Sequence, residues 1–586
     1  MTQLPPTPLR RPARIFWVSF ALIWAVLLLA GAWSMSLGIT EAHADVTTDA
    51  RPHTPLVEAQ PTPQDSAAAD AAEATDAPNH THAFEAVPSE APAHALKAAP
   101  STQVSLSGGS EETPWQLRLY SLAGVFGFLL IAWLLSNNRR RINWRTVAVG
   151  LTIQLLLAVF IHRTQMGAAL FAFLGKGVTT LLGFSAEGTR MLFGSFVADG
   201  QMMPALLSMA FVLFPSIIFF SSLMAIFYHL GAMQRLVGLI AGVMRRTMGT
   251  SGPESLSAAA NIFVGQIEAP LMVGPYVRGM TRSELMAVMT GGFATVAGGV
   301  MASYVGFLHT VIPDIANHLL AASVMAAPGA LVIAKIMVPE TASKEELPSD
   351  AALSAERRTT NMIDAAATGA VDGMNLALMV GAVLLAFVAL VALLNATIAT
   401  PSHIQHGVAL KQLWGELTQA GVVIPDALQS CAPDQTAMAT RSACVRALES
   451  LSSHSAPVFL LPTLSLQGIL GVLFWPIAAI SGVPLPEVRH LAELYGQKLA
   501  LNEFLAYLLL LEKVQDPELQ LSSRTIVMAS YGLCGFANIS SIAVQIGGIG
   551  GIAPERRSEL ASLGLKAMFA GSLTSWMCAS IAGVLL

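Results

Sequence analysis

Two carboxylates and two amides interrupt apolar stretches of this chain, at Gln266, Glu268, Asn502 and Glu503. A charged side chain is costly in lipid, so an ionisable residue in a membrane segment usually faces a wet, protein-lined cavity and marks a functional site. Amides and carboxylates offer hydrogen bonds without positive charge. They suit a neutral solute with many hydrogen-bond donors, whereas a phosphate or carboxylate solute would need Arg or Lys.

Each of these polar pairs lies in an interrupted segment that is followed by a second one. The first pair lies in Asn261–Tyr276, broken by glycine and proline, and the second in Lys498–Leu510. The segments that follow, Gly291–Val300 and Cys534–Val544, are glycine-broken and both contain Gly-Phe-Ala. Paired, interrupted hydrophobic segments predict a transporter binding site between two repeats.

Further polar residues of the two following segments are expected near mid-membrane: Thr295, Asn538, Ser540 and Ser541. With the first four they form a set that holds no basic residue, which favours a sugar or a nucleoside as solute. Phe536 could stack on a flat ring. For a single Asn or Ser, a hydrogen bond between helices is the alternative. The unwound backbone beside Thr295, the Asn261 side chain and the Val264 carbonyl could form an oxygen cage for Na⁺.

The composition indicates a polytopic membrane protein. Of 586 residues, 54% are hydrophobic and 12% charged, against about 25% charged in a soluble domain. No basic stripe with interleaved aromatic residues suggests nucleic-acid binding, so the lipid bilayer is the expected partner. Four cysteines are too few for a disulfide scaffold or a metal cluster. Cys431 and Cys444 lie in a polar region and are predicted to form a disulfide, with two free thiols as the alternative.

The N-terminal region resembles a targeting segment followed by a tether. Residues 1–44 combine a basic start, the apolar stretch Ile15–Gly38 and Ala42-His43-Ala44, which predicts a signal peptide. The apolar stretch is longer than a usual signal core, so an uncleaved anchor is the alternative. Residues 45–115 have few large apolar side chains and are predicted to be a disordered tether outside the cytoplasm.

Apolar runs predict helices in the body of the chain near Leu119–Leu135, Val147–Ile161, Ala205–Leu230, Leu285–Val311, Ala316–Val338 and Met374–Leu394. Lys and Arg concentrate in cytoplasmic loops. The basic clusters all become cytoplasmic if the first of these helices runs inward and Asn261–Tyr276 is a re-entrant hairpin. If that stretch crossed once, Arg245 and Arg278 would lie on opposite sides.

The order of interfacial segment, hairpin, broken helix and helix occurs twice with opposite orientation, which predicts an inverted repeat. The fold class is therefore an all-α polytopic membrane protein with about eight transmembrane helices and two re-entrant hairpins. The predicted division is 116–232 N-terminal helices, 233–338 first repeat, 339–372 cytoplasmic loop, 373–395 a further helix, 396–460 external insertion and 461–586 second repeat. Both termini of the mature chain are then periplasmic.

Four stretches resemble signatures of the concentrative nucleoside transporter family: NIFVGQIEAPL, MTGGFATVAGGVMASY, LNEFLAYL and GFANISSIAVQIGGIGGIAPERRSEL. The resemblance runs from about Leu119 to the C-terminus. It implies a symporter of a bacterial inner membrane that draws nucleosides inward with a Na⁺ or H⁺ gradient. It also implies a homotrimer in which a scaffold domain holds a transport domain that moves like an elevator.

The resemblance also implies site residues. Those near the nucleobase are Gln266, Ile267, Glu268 and Val300, those near the ribose are Glu503, Asn538 and Ser541, and Phe536 lies beside both. The residues that match the Na⁺ site are Asn261, Val264, Thr295 and Val296, through two side-chain oxygens and the two valine carbonyls. That set is preserved, which favours Na⁺ over H⁺. Ile267 stands where the family usually has Thr, so the choice between purine and pyrimidine stays open.

Three alternatives remain for the function. Proton coupling could replace Na⁺ coupling, because an intramembrane carboxylate can be protonated. A nucleoside sensor would bind without transport. An intramembrane enzyme could use Glu268 and Glu503 as an acid–base pair, but neither G-x-S-x-G nor H-E-x-x-H supports it, and we expect no enzymatic activity.

Overall fold

The computed structural model describes residues 113–193, 197–198, 201–202, 209–342, 359–433, 436, 440–449 and 464–586. The predicted signal segment and all but the end of the predicted tether lie outside these residues. The described chain is helical, apart from a two-residue antiparallel ladder between Val197–Ala198 and Gln201–Met202. The all-α fold class is confirmed.

Five helices precede the first hairpin: α1 (Trp115–Leu134), α2 (Trp144–Arg163), α3 (Gln165–Phe193), α4 (Met209–His229) and α5 (Ala232–Met248). Helices α1, α2 and α4 lie where helices were predicted. Helix α3 was missed, because Lys176, Glu187 and several glycines divide its apolar sequence into short runs. Most of its surface is exposed in a single copy of the chain.

Helix α5 is the amphipathic segment predicted before the first hairpin. Its buried residues recur every three or four positions, at Met233, Val237, Ala241, Met244 and Met248. This spacing places them on one helical face, and Arg245 and Arg246 are exposed. The bend between α4 and α5 is 76°, so α5 turns sharply away from the preceding helix.

The first repeat contains a hairpin and a broken helix. Its helices are α6 (Gly252–Ala260), α7 (Glu268–Met272), α8 (Gly274–Val277), α9 (Arg282–Ala294), α10 (Gly298–Leu308) and α11 (Ile315–Met337). Capping boxes start α6 at Ser251 with Glu254, and α9 at Thr281 with Glu284. The hairpin tip at 261–267 and the break at 295–297 are non-helical, as the glycines and polar residues predicted.

Helix α12 (Met362–Gln419) is longer than the predicted helix Met374–Leu394 at both ends. It begins inside the predicted loop 339–372 and continues through Pro401 into the predicted insertion 396–460. The prediction ended the helix where the sequence becomes polar. Beyond that point the helix is held by a small apolar cluster that it forms with α13 (Arg441–Glu449).

The predicted disulfide between Cys431 and Cys444 is present, with an S–S distance of 2.07 Å. Both cysteines belong to the small apolar cluster, together with Leu410 and Leu413 of α12 and Val445 of α13. The bridge therefore joins the segment that follows α12 to α13, and both pack against the end of α12.

The second repeat has the same order of elements. Its helices are α14 (Leu466–Ser481), α15 (Val488–Ala500), α16 (Glu503–Gln515), α17 (Ser523–Leu533), α18 (Ile539–Ile552) and α19 (Arg557–Leu585). Helices α15 and α16 form the second hairpin, with its tip at 501–502. Helices α17 and α18 form the second broken helix, interrupted at 534–538. The repeat predicted from charges and breaks is confirmed.

Seven described helical segments are long and apolar enough to cross a membrane, and the bent pair α4 and α5 raises the count to eight. By length and composition this agrees with the prediction of about eight spans, although the set includes α3, which was not predicted. Helix α19 packs against α1, α9, α11 and α17 and lies at the centre of the core. There, the fully buried Trp576 stacks on Tyr495 with ring centroids 5.3 Å apart.

The two helix breaks touch each other at Gly535. Its φ is 101°, a left-handed conformation that side chains rarely tolerate. A Cβ atom on Gly535 would lie 2.6 Å from the backbone carbonyl carbon of Ala294, where α9 ends. The absence of a side chain therefore lets the second break pack on the first.

We expect Gly535→Ala to destabilise the protein by about 1–3 kcal/mol through backbone strain alone, with a further cost from the clash with Ala294. The melting temperature in detergent, followed by tryptophan fluorescence, would measure it. The matched control is Gly547→Ala in α18, where an added Cβ would meet no atom within 4 Å. Equal melting temperatures for the two variants would contradict the close packing of the breaks.

Candidate functional site

The tip of the first hairpin is bound to the second broken helix. Gln266 donates from Nε2 to Ser541 Oγ at 3.2 Å, and Gln545 donates from Nε2 to Gln266 Oε1 at 3.1 Å. Gln545 also donates to the Met289 carbonyl of α9 at 3.1 Å. These contacts join hairpin 1, α9 and α18, so the two repeats meet at Gln266.

The tip of the second hairpin is bound to both broken helices. Glu503 accepts from the Tyr304 hydroxyl of α10 at 3.1 Å and from Asn538 Nδ2 at 2.9 Å. Its carboxylate lies in the first turn of α16, where the helix dipole favours negative charge. Asn502, by contrast, caps α16, because its Oδ1 accepts from the Leu505 amide at 2.8 Å. Asn502 therefore has a structural role here.

Asn538 is fixed at the start of α18 by hydrogen bonds to both ends of its amide. Its Oδ1 accepts from the Ser541 amide at 2.8 Å and from the Ser540 hydroxyl at 2.7 Å. This is an N-cap, and it leaves Nδ2 to donate to Glu503. Because Asn538 and Ser541 share the first turn of α18, the contacts of Gln266 and of Glu503 converge on that turn.

The other predicted substrate residues lie around this turn without a hydrogen bond to it among the described residues. The Ile267 side chain is 37% exposed and faces Gly548 of α18, where a Cβ would lie 3.0 Å from Ile267 Cγ2. Glu268 is exposed, and its carboxylate lies against Gly265, where an added Cβ would clash with Oε2. Val300 is buried in α10, and Phe536 is half-buried in the second break.

The predicted cation residues lie at the tip of the first hairpin and at the first break, and all four are buried. Asn261 donates from Nδ2 to the Ser257 carbonyl at 2.9 Å, but its buried Oδ1 has no hydrogen-bond partner among the described residues. The carbonyls of Val264 and Val296 accept no backbone hydrogen bond within the described chain. An unpaired buried polar atom costs about 1–3 kcal/mol. These oxygens fit a small hard cation, which takes oxygen ligands.

A backbone contact connects this cation set to the hairpin tip. The Gly298 amide, in the first turn of α10, donates to the Phe263 carbonyl at 3.0 Å. The Thr295 hydroxyl donates back to the Gly291 carbonyl of α9 at 2.9 Å, so its own lone pairs remain to accept or to bind a cation. The hairpin tip and the helix after the first break are thus joined by a backbone hydrogen bond.

Three residues of this region were missed by the sequence analysis. Tyr304 and Gln545 orient Glu503 and Gln266, and both are fully buried. Lys498 is also fully buried, and its Nζ donates to the Gly532 and Cys534 carbonyls at 3.0 and 2.9 Å. The predicted set of polar residues did not include this lysine, which binds the end of the second broken helix beside that set. A lysine next to the apolar stretch 499–501 was the available signal.

Comparison with known proteins agrees with this arrangement. Family models match the chain as the N-terminus of a Na⁺ dependent nucleoside transporter at 123–196, as nucleoside recognition at 210–311, and as the C-terminus of a Na⁺ dependent nucleoside transporter at 318–423 and 437–583.

This chain matches three similar proteins over nearly their whole length. An uncharacterized transporter of Bacillus subtilis is 38% identical over 468 residues, 80% of this chain and 99% of that protein. A nucleoside permease of Helicobacter pylori is 36% identical over 469 residues, 80% of this chain and 97% of that protein. The structure of CNTnw in an inward-facing substrate-bound state is similar with a TM-score of 0.65 and 39% identity, covering 80% of this chain and 99% of that one. The chain, a multi-pass membrane protein with two hairpins and two broken helices, belongs to the concentrative nucleoside transporter family.

Proposed function

We propose that this protein carries nucleosides inward across a bacterial inner membrane, driven by a Na⁺ gradient. The observation that carries the proposal is the convergence of Gln266 and Glu503, one from each hairpin, on the first turn of α18. A site between two inverted repeats can open to either side by the same movement. The family models, described as Na⁺ dependent nucleoside transporter, support the coupling ion.

Glu503 is the residue we assign to the ribose. Tyr304 and Asn538 hold the two carboxylate oxygens in place, and each oxygen keeps lone pairs that can accept from a sugar hydroxyl. Ser541, in the first turn of α18, offers a hydroxyl. A carboxylate makes stronger hydrogen bonds than a neutral acceptor, so Glu503 should supply much of the affinity for the ribose.

Gln266 and Glu268 are the residues we assign to the nucleobase. Glu268 is exposed beside the tip, and Gln266 carries both a donor and an acceptor. Ile267 and Val300 add apolar surface for a flat ring, and Phe536 lies in the second break near both parts of the solute. In the structure Gln266 bonds Ser541 directly, so a bound nucleoside would replace or bridge this contact.

We assign the coupling ion to Asn261, Val264, Thr295 and Val296. Val264 lies two residues before Gln266 in the hairpin tip. An ion held by oxygens of both the tip and the first break would fix the tip in the shape that presents Gln266 and Glu268. Ion binding and nucleoside binding would then strengthen each other, as thermodynamic linkage requires.

The proposal includes an elevator movement of the transport repeats within a homotrimeric scaffold, with both mature termini periplasmic. The basic clusters Arg139–Arg141, Arg245–Arg246 and Arg278 fall on one side only if α3 lies along the membrane surface. If α3 crossed, the first cluster would be separated from the other two. Its many exposed apolar side chains, including Phe173 and Phe184, suit a position against lipid or a neighbouring subunit. We assign no catalytic role to the two carboxylates.

Uptake of uridine and adenosine into proteoliposomes tests the coupling. We expect uptake with an imposed Na⁺ gradient, and we expect Asn261→Ala to raise the Na⁺ concentration required by about tenfold, the effect of losing ~1.4 kcal/mol of ion binding. Asn138→Ala is the control, because Asn138 is exposed and its side chain makes no cap bond.

Uptake driven only by a pH gradient would keep the nucleoside assignment and reject the Na⁺ site in favour of proton coupling. Nucleoside binding without any uptake would instead indicate a sensor. Release of a chemically altered nucleoside would indicate an enzyme.

Glu503→Gln tests the ribose assignment. The substitution keeps the shape but removes charge-assisted hydrogen bonds worth about 1.5–3 kcal/mol, so we expect nucleoside affinity to fall by about 10- to 100-fold. Equilibrium binding of radiolabelled uridine would measure it. Glu512→Gln, an exposed position on the same helix α16, should bind as the unsubstituted protein does, and an equal loss in both variants would contradict the assignment.

A further inference from the structure

The C-terminal end of α17 is bound by an ammonium group from the second hairpin. Lys498, fully buried in α15, donates to the Gly532 carbonyl at 3.0 Å and to the Cys534 carbonyl at 2.9 Å. Ser575 of α19 donates to the same Cys534 carbonyl at 2.6 Å. The last carbonyls of a helix lack intrahelical partners and carry partial negative charge. The lysine ammonium therefore places a positive charge against the partial negative charge of these carbonyls.

The first repeat has no such side chain in the corresponding place. Helix α9 ends at Ala294, and the first hairpin contains no Lys or Arg between Gly252 and Val277. At the end of its first arm stands Asn261, whose Oδ1 is buried and without a hydrogen-bond partner among the described residues. The first repeat thus presents oxygen atoms where the second repeat presents an ammonium group.

The two positions correspond in the order of the repeats. Asn261 follows α6, the first arm of its hairpin, and precedes Glu268 by seven residues. Lys498 lies near the end of α15, the first arm of the other hairpin, and precedes Glu503 by five residues. Each is followed by the hairpin carboxylate and lies beside the helix that precedes the break: Asn261 beside Gly291 of α9, and Lys498 beside Gly532 of α17.

We propose that Lys498 is a built-in cation of the second repeat, which occupies the place that the coupling ion takes in the first. The protein would then need a single mobile ion for each nucleoside, because the other charge is covalently attached. This inference rests on the proposed Na⁺ site. It adds that Lys498 determines how many Na⁺ ions bind with each nucleoside.

The charges of the site fit this assignment. Lys498 and Glu503 are both fully or almost fully buried and lie five residues apart in the second hairpin, so this hairpin carries one positive charge together with its buried acid. In the first repeat the buried ammonium of Lys335 pairs with Glu254 at 2.7 Å, and the first hairpin has no Lys or Arg of its own between Gly252 and Val277. A Na⁺ ion held by Asn261 and its neighbours would give the first hairpin the positive charge that Lys498 gives the second.

The test is the Na⁺ dependence of uridine binding to purified protein, with choline chloride keeping the ionic strength constant. For the unsubstituted protein we expect a Hill coefficient of about 1 for Na⁺, as a single site requires. For Lys498→Met, which removes the charge but keeps the length, we expect about 2 and a midpoint raised by about fivefold or more, since a second ion must now bind. Lys498→Arg should keep the lower coefficient.

Lys411→Met is the control, because Lys411 is exposed on α12 outside the repeats. A folded Lys498→Met protein with an unchanged midpoint and slope overturns the inference. So does one that binds no uridine at any Na⁺ concentration, because the vacated place would then accept no ion. If Lys498→Met does not fold, as gel filtration would show, a steeper Na⁺ response in Lys498→Arg overturns it.

The unsubstituted protein separates this inference from the proposed function. Uridine binding that is independent of Na⁺ in that protein contradicts the proposed coupling. A normal Na⁺ response there, combined with an unchanged response in Lys498→Met, contradicts only the role of Lys498.

Discussion

Every backbone amide and carbonyl in the hydrocarbon layer must find a partner within the protein, because lipid offers none. Two broken helices create four such ends near the middle of this molecule. The Phe263 carbonyl of the hairpin tip accepts a hydrogen bond from the start of α10, and Asn538 caps the start of α18. Lys498 donates hydrogen bonds to the carbonyls at the end of α17. The end of α9 is left with the oxygen atoms of the proposed ion site.

The same polar partners that permit the breaks also build the candidate site. Asn538 caps α18 with its oxygen and holds Glu503 with its nitrogen. Gln545 supports Gln266 while it binds the Met289 carbonyl of α9. The same hydrogen bonds therefore stabilise the breaks and orient the side chains of the candidate site. A change at any of these side chains is expected to affect both.

The sequence was most informative where a residue type is costly in lipid. Glu268, Glu503 and the glycine-broken stretches identified both hairpins and both broken helices, because carboxylates and bare backbone are tolerated at few places in a membrane. A buried lysine is equally costly in lipid, but Lys498 was named only as the first residue of the stretch Lys498–Leu510 and was given no role. Its partners are backbone carbonyls, which the sequence does not distinguish from any others.

Other features depended on contacts that no local pattern encodes. Asn502 and Asn538 are both polar residues next to a helix start, yet only Asn538 also reaches a carboxylate. Helix α3 has no uninterrupted apolar run, and α12 continues where its sequence becomes polar, because packing against α13 and the disulfide replaces the lipid. In α12 the tertiary environment outweighs the composition of the segment.

The length of α12 has a mechanical consequence. Its 58 residues extend for about 87 Å at 1.5 Å per residue, whereas the hydrocarbon core of a bilayer is about 30 Å thick. A rod of this length is long enough to cross a membrane and to hold the disulfide-closed cluster beyond the lipid headgroups. A load on that cluster would be transmitted along the rod to α4, against which α12 packs.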